Sequence, residues 1–165
     1  MDLHKIMFAI DNRCLYLKMM GAIRHTLCAS LDILIRNLIE QSTIDKFVID
    51  LRPAVYLDST SLGLIARMAR HMKTKTNEKI VLISTNADVN EILSSVQFGS
   101  IANIVDTWEN LPEPFYETEL FAEQVQAHRE MIIKSHQELA KINEDNRKKF
   151  TAVIKSLEKK YQKEK

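Results

Sequence analysis

The most informative part of the sequence is the stretch Phe47-Val48-Ile49-Asp50-Leu51-Arg52-Pro53-Ala54-Val55-Tyr56-Leu57-Asp58-Ser59-Thr60-Ser61-Leu62-Gly63. It starts as an apolar, β-prone run that ends near Leu51, and an apolar pair, Tyr56 and Leu57, then returns to the core. Four capping-type residues stand directly before a helical pattern, and such side chains accept hydrogen bonds from the free N–H groups of a first helical turn. The stretch predicts a strand, a short connection and a helix whose polar N-terminus lies at the surface.

Short elements alternate on both sides of this stretch. Two β-prone runs, Lys5–Ile10 and Cys14–Lys18, flank a turn-type Asp11-Asn12-Arg13 connection and predict a hairpin, after which Gly21 breaks the β pattern. Apolar spacing then predicts alternating helices and strands, which favours an α/β fold with helices packed on a mixed or parallel sheet. The predicted elements are helix Thr26–Glu40, strand Lys46–Leu51, helix Thr60–Met72, strand Ile80–Ile83, helix Val89–Val96 and strand Ile101–Val105.

Composition excludes several classes of protein. The 165 residues include 23 basic and 22 acidic side chains, a balance that gives no bulk attraction to nucleic acid or to an anionic membrane. The apolar runs are far too short to span a bilayer, and the N-terminus lacks the pattern of a signal peptide. The two cysteines fit no disulfide framework. We expect a cytoplasmic protein with no membrane contact and no direct contact to nucleic acid.

The glycines and histidines argue against a cofactor or a metal. The three glycines are separated by 42 and 36 residues, so neither a P-loop nor a dinucleotide-binding loop is present. The five histidines form no HxxxH or HxH set and join no cysteine or carboxylate cluster at zinc-like spacing. No cofactor and no metal are therefore expected.

Two arrangements of catalytic type compete with structural roles. Ser59 and His71 would be a nucleophile and a base, but His71 falls at the far end of the predicted helix, and no G-x-S-x-G motif is present. Asp50 and Asp58 would be an acid/base pair, yet each also fits a strand end or a helix cap. The sequence favours a protein that is not an enzyme.

The composition changes at Leu111, where Pro112-Glu113-Pro114 interrupts the pattern, and residues 115–165 contain no Gly or Pro. Acidic residues, including Glu119 and Glu123, come first, and Arg147–Lys165 holds eight basic and two acidic residues, the order that the helix dipole favours. The segment 112–165 is predicted to be a long helical extension, with a break at Asn143–Asn146. Three arrangements remain open: docking on its own domain, dimerisation through a weak heptad seam, and binding of a further signalling protein. The seam comprises Phe121, Val125, Ile132, Leu139 and Ile142.

The order of elements and the spacing from Asp50-Leu51 to Asp58-Ser59 resemble the STAS domain, the fold of bacterial anti-sigma factor antagonists. The resemblance covers residues 1 to 111 and is most specific over Val48–Gly63, which contains the pattern aromatic-aliphatic-Asp-Ser-x-x-Leu-Gly. It implies a STAS-like mixed sheet with helices packed on it, in residues 1–111, ahead of the helical extension.

The resemblance also implies a function. In the STAS antagonists the serine after the aspartate is the phosphoacceptor, a position that Ser59 occupies here. The unphosphorylated protein would bind an anti-sigma factor and so free a sigma factor, and a serine kinase and a metal-dependent serine phosphatase would set its state. Phosphate at this position would place a charge of roughly −1.5 to −2 beside Asp58 and disrupt a docked partner. The expected docking surface comprises Asp58, Thr60, Ser61, Leu62 and Gly63, extended by Arg67 and Arg70 as exposed basic side chains.

Two other interpretations stay open. Asp-Ser-Thr-Ser before a helix is also an ordinary cap with no regulatory role. A STAS-like scaffold that no longer switches, and that recruits a signalling protein through its C-terminal helices, is the alternative function.

Overall fold

A computed structural model describes residues 4–118 and 125–163. These residues form seven strands and five α-helices, together with a short 3-10 helix at Phe98–Ser100. The strands are β1 Lys5–Asp11, β2 Cys14–Ile23, β3 Lys46–Asp50, β4 Ala54–Leu57, β5 Ile80–Ile83, β6 Ala102–Val105 and β7 Tyr116–Glu117. The helices are α1 His25–Glu40, α2 Ser59–Thr76, α3 Ala87–Ser95, α4 Val125–Ala140 and α5 Glu144–Lys163.

The strands form one mixed sheet in the order β6-β5-β3-β2-β1-β7, and β4 also pairs with β2. The β1–β2 hairpin and the β1–β7 pair are antiparallel, whereas β3, β4, β5 and β6 join the sheet through parallel pairs. Parallel strands need crossover connections, and helices supply most of them. The expected α/β fold with a mixed sheet and packed helices is confirmed.

The main core lies between the sheet and the helices. Most of its buried side chains come from β1, β2, β3 and β5 and from helices α1 and α2, with large members such as Phe47, Leu15 and Ile35 fully buried. A second, smaller cluster of Cys14, Val48, Val81 and Ile83 is buried elsewhere on the sheet, with Trp108 packed against it. The central strands are covered on both faces, as their continuous apolar runs require.

Strand β2 is longer than its sequence pattern indicates. Gly21 does not end the strand, because β2 continues to Ile23 and pairs there with β4 across a register shift between Gly21 and Ala22. Gly21 has a φ of +76°, and a Cβ built on it would lie 2.2 Å from His4 Nδ1, so glycine is the residue that fits this irregularity. The prediction of a break at Gly21 is therefore wrong.

The C-terminal extension is helical in most of its described part, and its two helices, α4 and α5, pack against each other as a helical pair on the domain. The expected break is present but lies earlier than predicted: α4 ends at Ala140 and α5 begins at Glu144, so Glu144, Asp145 and Asn146 already belong to α5. Helical structure does not begin at Phe115, because Tyr116 and Glu117 pair with β1 instead. Glu119, Phe121 and Glu123 lie outside the described residues.

Of the three arrangements that the sequence leaves open for the extension, the structure has the helical pair docked on its own domain. Met131 and Leu139 of α4 and Phe150 of α5 are buried in the main core cluster. The side chain of Asn146 is also buried and donates from Nδ2 to the carbonyl of Val96, at 2.9 Å. Within residues 4–118 and 125–163, no helix is both long and apolar enough to cross a membrane.

Candidate functional site

Asp58 connects the N-termini of two helices. Its Oδ1 accepts from the backbone N–H of Ser61 at 2.9 Å, and its Oδ2 accepts from the backbone N–H of His25 at 2.6 Å. The carboxylate therefore caps α2 and also accepts from the first residue of α1, where both helix dipoles favour a negative charge. The predicted capping role of this residue is confirmed, and it fixes the position of the residue that follows.

The three hydroxyl residues after Asp58 have different surroundings. Ser61 is fully buried and donates from Oγ to the carbonyl of Asp58 at 2.8 Å, inside the domain. Thr60 is buried as well, with 3% of its surface exposed. Ser59 is half-buried, and its Oγ lies 2.8 Å from Nε2 of His136 in α4. The Ser59 hydroxyl is thus hydrogen-bonded to the helical pair of the C-terminal extension.

His136 is held firmly in this position. Its Nδ1 lies 2.7 Å from the carbonyl of Ile132, one turn back in α4. A carbonyl only accepts, so Nδ1 carries the proton, and a neutral ring then offers Nε2 as an acceptor to the Ser59 hydroxyl. The ring also packs edge-on against Phe150 of α5, with centroids 6.1 Å apart. Both helices of the pair therefore fix the histidine over Ser59.

Helix α4 comes very close to α2 at Gly63. A Cβ built on Gly63 would lie 2.1 Å from the carbonyl oxygen of Ser135, which is much closer than real side chains come to a backbone atom. A residue without a side chain is what allows the two helix backbones to approach this closely. The same region of α2 also carries Leu62, which is buried.

Two arginines of α2 lie along the same side of the domain. The Nη1 atom of Arg67 donates to Asp32 of α1 at 2.6 Å, and only 18% of the Arg67 side chain is exposed. The expectation that Arg67 is exposed is therefore wrong, because it pairs with a buried carboxylate. Arg70 is more exposed, but it forms a two-bond contact to Glu138 of α4, at 2.8 and 2.6 Å. This contact raises the pKa of the Arg70 guanidinium.

The sequence indicates one side of this site and not the other. Asp58, Ser59, Gly63, Arg67 and Arg70 were all singled out, and each lies at or near the contact between α2 and its neighbours. The missed residues belong to α4 and are Ser135, His136 and Glu138. The available signal was the spacing of Gly63, Arg67 and Arg70 on one helix and of Ser135 and Glu138 on another, since positions three or four apart share a helix face.

The arrangement of Ser59 and His136 has the distance of a nucleophile and its base. The hydroxyl faces α4, however, and the cavities along α2 are lined from Ala66 onward, further along the helix. His71, the base considered from the sequence, packs edge-on against Phe47 with centroids 6.4 Å apart. Asp50, the other acidic candidate, is engaged by its neighbour Arg52 through bonds of 2.8 and 2.9 Å. His71 and Asp50 thus have structural contacts of their own, and the Ser59 hydroxyl lies in the contact between α2 and α4.

Among the described residues, no three or more His, Cys, Asp or Glu side chains lie together in a group that could hold a metal ion.

The chain is similar to known proteins in both sequence and fold. The STAS domain family matches residues 5–111 of the chain. The fold is similar to a solved structure of the anti-sigma factor antagonist SpoIIAA in its unphosphorylated form, with a TM-score of 0.52 and 14% sequence identity. This likeness covers 62% of the present chain and 88% of the other. No curated protein sequence matches the chain.

Proposed function

Because the chain belongs to the STAS domain family, we propose that it is a phosphorylation-controlled partner-switching regulator and not an enzyme. Unphosphorylated at Ser59, it binds an anti-sigma factor and so frees a sigma factor. A serine kinase removes it from this complex, and a metal-dependent serine phosphatase restores it. The docking surface is the N-terminal part of α2, with Asp58, Thr60, Leu62, Gly63 and Arg67, whereas Ser61, whose hydroxyl bonds inside the domain, supports this surface from within.

One observation carries the choice of Ser59. Of the three consecutive hydroxyl residues, Thr60 and Ser61 are buried, whereas the Ser59 hydroxyl bonds to a residue outside the matched domain. A kinase could reach the buried Thr60 or Ser61 only if the domain itself opened, whereas the Ser59 hydroxyl contacts the helical pair. Ser59 is also the first residue of α2, where backbone N–H groups and the helix dipole accommodate a phosphate without unfolding the helix.

The charge of a phosphate supports the switch. It adds roughly −1.5 to −2 charges and considerable bulk to a side chain next to the half-buried Asp58 carboxylate. A partner that covers α2 at Gly63 has to come close to both groups. Phosphorylation therefore weakens docking through repulsion and steric conflict, while the capped helix stays intact.

The alternative is a STAS interaction module that does not switch and recruits a signalling protein through its C-terminal helices. A specific observation favours it: α5 extends for about 30 Å, and most of its residues after Phe150 are exposed. Val153, an apolar residue of this part, is 40% exposed. In this alternative the outer part of α5 is the recruiting surface and Ser59 remains unmodified.

Mass spectrometry of the protein from growing and starved host cells separates the two. The tryptic peptide Phe47–Arg67 stays whole because Pro53 protects Arg52, and it holds all three hydroxyl residues, so fragment ions must assign the site. We expect phosphate on Ser59 with an occupancy that depends on growth. A peptide that is unmodified in every condition would favour the non-switching module.

A binding titration tests the switch directly. The full chain, Ser59→Asp and Ser59→Ala are titrated against each purified anti-sigma factor of the host. Ser59→Asp should weaken the complex about tenfold or more, because a charge placed in an interface beside a like charge costs about 1.4 kcal/mol or more, and that energy corresponds to a factor of ten. Ser59→Ala should bind and lose regulation. Equal affinity of the wild-type chain and Ser59→Asp would refute the switch.

A further inference from the structure

We propose that α4 is a built-in competitor of the protein partner: it occupies the docking face of α2, and the helical pair must leave before a partner docks or a kinase modifies Ser59. The inference rests on the proposed function of Ser59 and adds how its access is controlled. It also predicts the kind of partner element that fits. That element is a helix with a small residue opposite Gly63 and a carboxylate for Arg70.

In the docked arrangement, α4 covers the Ser59 hydroxyl. Its Oγ is hydrogen-bonded to His136 Nε2 at 2.8 Å, and 6% of His136 is exposed. Phosphoryl transfer needs the hydroxyl in line with the donor phosphate and close to a catalytic base of the kinase. With the histidine in place, neither position is free. The docked state thus protects Ser59 from modification.

The close approach of α4 to α2 at Gly63 leaves no space for a second helix. The backbone of Ser135 lies so close to Gly63 that a single added carbon would be 2.1 Å from its carbonyl oxygen. Two helices cannot occupy this position on α2 together. Any partner that reaches Gly63 therefore binds only to molecules from which α4 has moved away. The absence of a side chain at Gly63 also selects a partner with a small residue at the contact point.

The ion pair between Arg70 of α2 and Glu138 of α4 adds a charge requirement to the contact. Glu138 of α4 is largely buried, and its carboxylate accepts two hydrogen bonds from the Arg70 guanidinium. The Nζ atom of Lys141 lies 3.6 Å from the same carboxylate. Departure of α4 leaves Arg70 without this carboxylate. A partner helix with Asp or Glu one turn after its small residue would restore the pair. The contact fixes the register of α4 on α2, and the same contact favours a partner that imitates it.

The contact between α2 and α4 leaves some buried polar atoms without hydrogen-bond partners. In the described part of the chain, Arg67 Nε and Ser135 Oγ are buried without a hydrogen-bond partner. A cavity of about 220 Å³ lies along the same contact, bordered by Ala66, Arg70 and Ile142. Buried polar atoms without partners weaken a helix contact, and an open groove beside the contact lets solvent reach its edge. The helical pair is thus suited to local release.

The affinity of a partner depends on the fraction of molecules in which α4 has left α2. If only a fraction of molecules is open, the apparent dissociation constant of a partner rises by the inverse of that fraction. Weakening the docking of α4 then strengthens partner binding, although no residue of the docking face has changed. A merely structural helical pair gives a different result, because its loss does not help a partner.

A thiol at position 59 tests the docked state in the full chain. Ser59→Cys is allowed to react with a bulky maleimide, alone and combined with Leu139→Ala, which removes a fully buried side chain of α4. Lys134→Ala, on the exposed side of α4, is the matched control. The native thiols Cys14 and Cys28 are both buried in the domain and report whether the domain itself stays folded. When opening is fast, the labelling rate measures the open fraction.

We expect Leu139→Ala to speed the labelling of the introduced thiol about tenfold or more, with Cys14 and Cys28 protected and Lys134→Ala without effect. If Leu139→Ala also exposes the two native thiols, the milder Glu138→Ala replaces it. Equal labelling rates of the introduced thiol with and without the α4 change would overturn the inference. So would labelling of this thiol in the otherwise unchanged chain as fast as in the urea-unfolded chain.

A second arm distinguishes this inference from the proposed function. Leu139→Ala and Lys134→Ala, both with Ser59 present, are titrated against the anti-sigma factor that binds the wild-type chain. Tighter binding by Leu139→Ala alone supports the competitor. If the labelling result holds but no anti-sigma factor binds any variant, the docked α4 is supported and the proposed function fails. If the wild-type chain binds and Leu139→Ala binds no better, the proposed function stands and the competitor is refuted.

Discussion

Gly63 is the residue where local preference and tertiary contact act in opposite directions. Alanine is favoured over glycine in a helix interior by about 1 kcal/mol, so helix propensity alone predicts that Gly63→Ala stabilises α2. The contact with Ser135 predicts the reverse, because the new Cβ would force α4 away from α2. We expect the free energy of unfolding to fall by about 1–3 kcal/mol in denaturant titrations.

Gly99→Ala is the matched control for this prediction. A Cβ on Gly99 has no neighbour within 4 Å, so the change should stay within about 0.5 kcal/mol. If Gly63→Ala raised the stability of the chain, α4 would not be packed on α2 in solution.

His71 gives the fold a dependence on pH. Burial, together with the charges of Lys75 and Arg70, lowers the pKa of His71 below its ordinary value of 6.5. The unfolded chain then binds a proton at a higher pH than the folded chain does, so stability rises with pH in this range. The contribution is present above about pH 6.5 and is lost as the pH falls through the lower pKa of the folded state.

Thermal melts of the wild-type chain and His71→Gln at about pH 7.5 and about pH 5.5 measure this effect. The loss of Tm on acidification should be smaller in His71→Gln. An identical loss in both proteins would assign the pH dependence to other groups.

At the scale of elements, the contact of α2 with α4 depends on a charge pair as well as on close packing. Arg70→Ala and Glu138→Gln, singly and together, form a double-mutant cycle. Because 56% of the Arg70 side chain is exposed, we expect a coupling of only about 0.5–1 kcal/mol in the free energy of unfolding. The pair Arg147 and Glu144 lies within α5, with both side chains more than half exposed, and should give a smaller coupling. A coupling of zero at Arg70 and Glu138 would mean that the pair does not hold the two helices in register.

For the whole molecule, the question is whether residues 1–118 keep a core of their own. The sheet, including β7, and helices α1 to α3 bury most of the main cluster, whereas the helical pair adds Met131, Leu139 and Phe150. We expect a chain that ends after Thr118 to melt cooperatively at a lower temperature than the full chain, which circular dichroism would follow. Loss of a cooperative transition would make the helical pair part of one indivisible core.

Much of the architecture could be predicted from the sequence because its signals are local. The alternation of strands and helices, the cap at Asp58 and the break before Glu144 each depend on residues a few positions apart. Strand β4 was only partly indicated: Leu57 is buried as expected, but Tyr56, which was also expected to return to the core, is 38% exposed. Strand β7 gave no signal, because two residues next to a proline pair form a strand only when β1 offers an edge.

The residue pattern was enough to predict the fold class, the family and the position of Ser59 at the start of a capped helix. The tertiary structure decided what covers that serine. Periodicity predicts amphipathic helices in the segment 112–165, but an apolar face fits a partner, a second copy or its own domain equally well. Only the approach of Ser135 to Gly63 and of His136 to Ser59 selects among them. Such contacts join residues more than seventy positions apart, and their register depends on shape and charge at the contact, which no local pattern encodes.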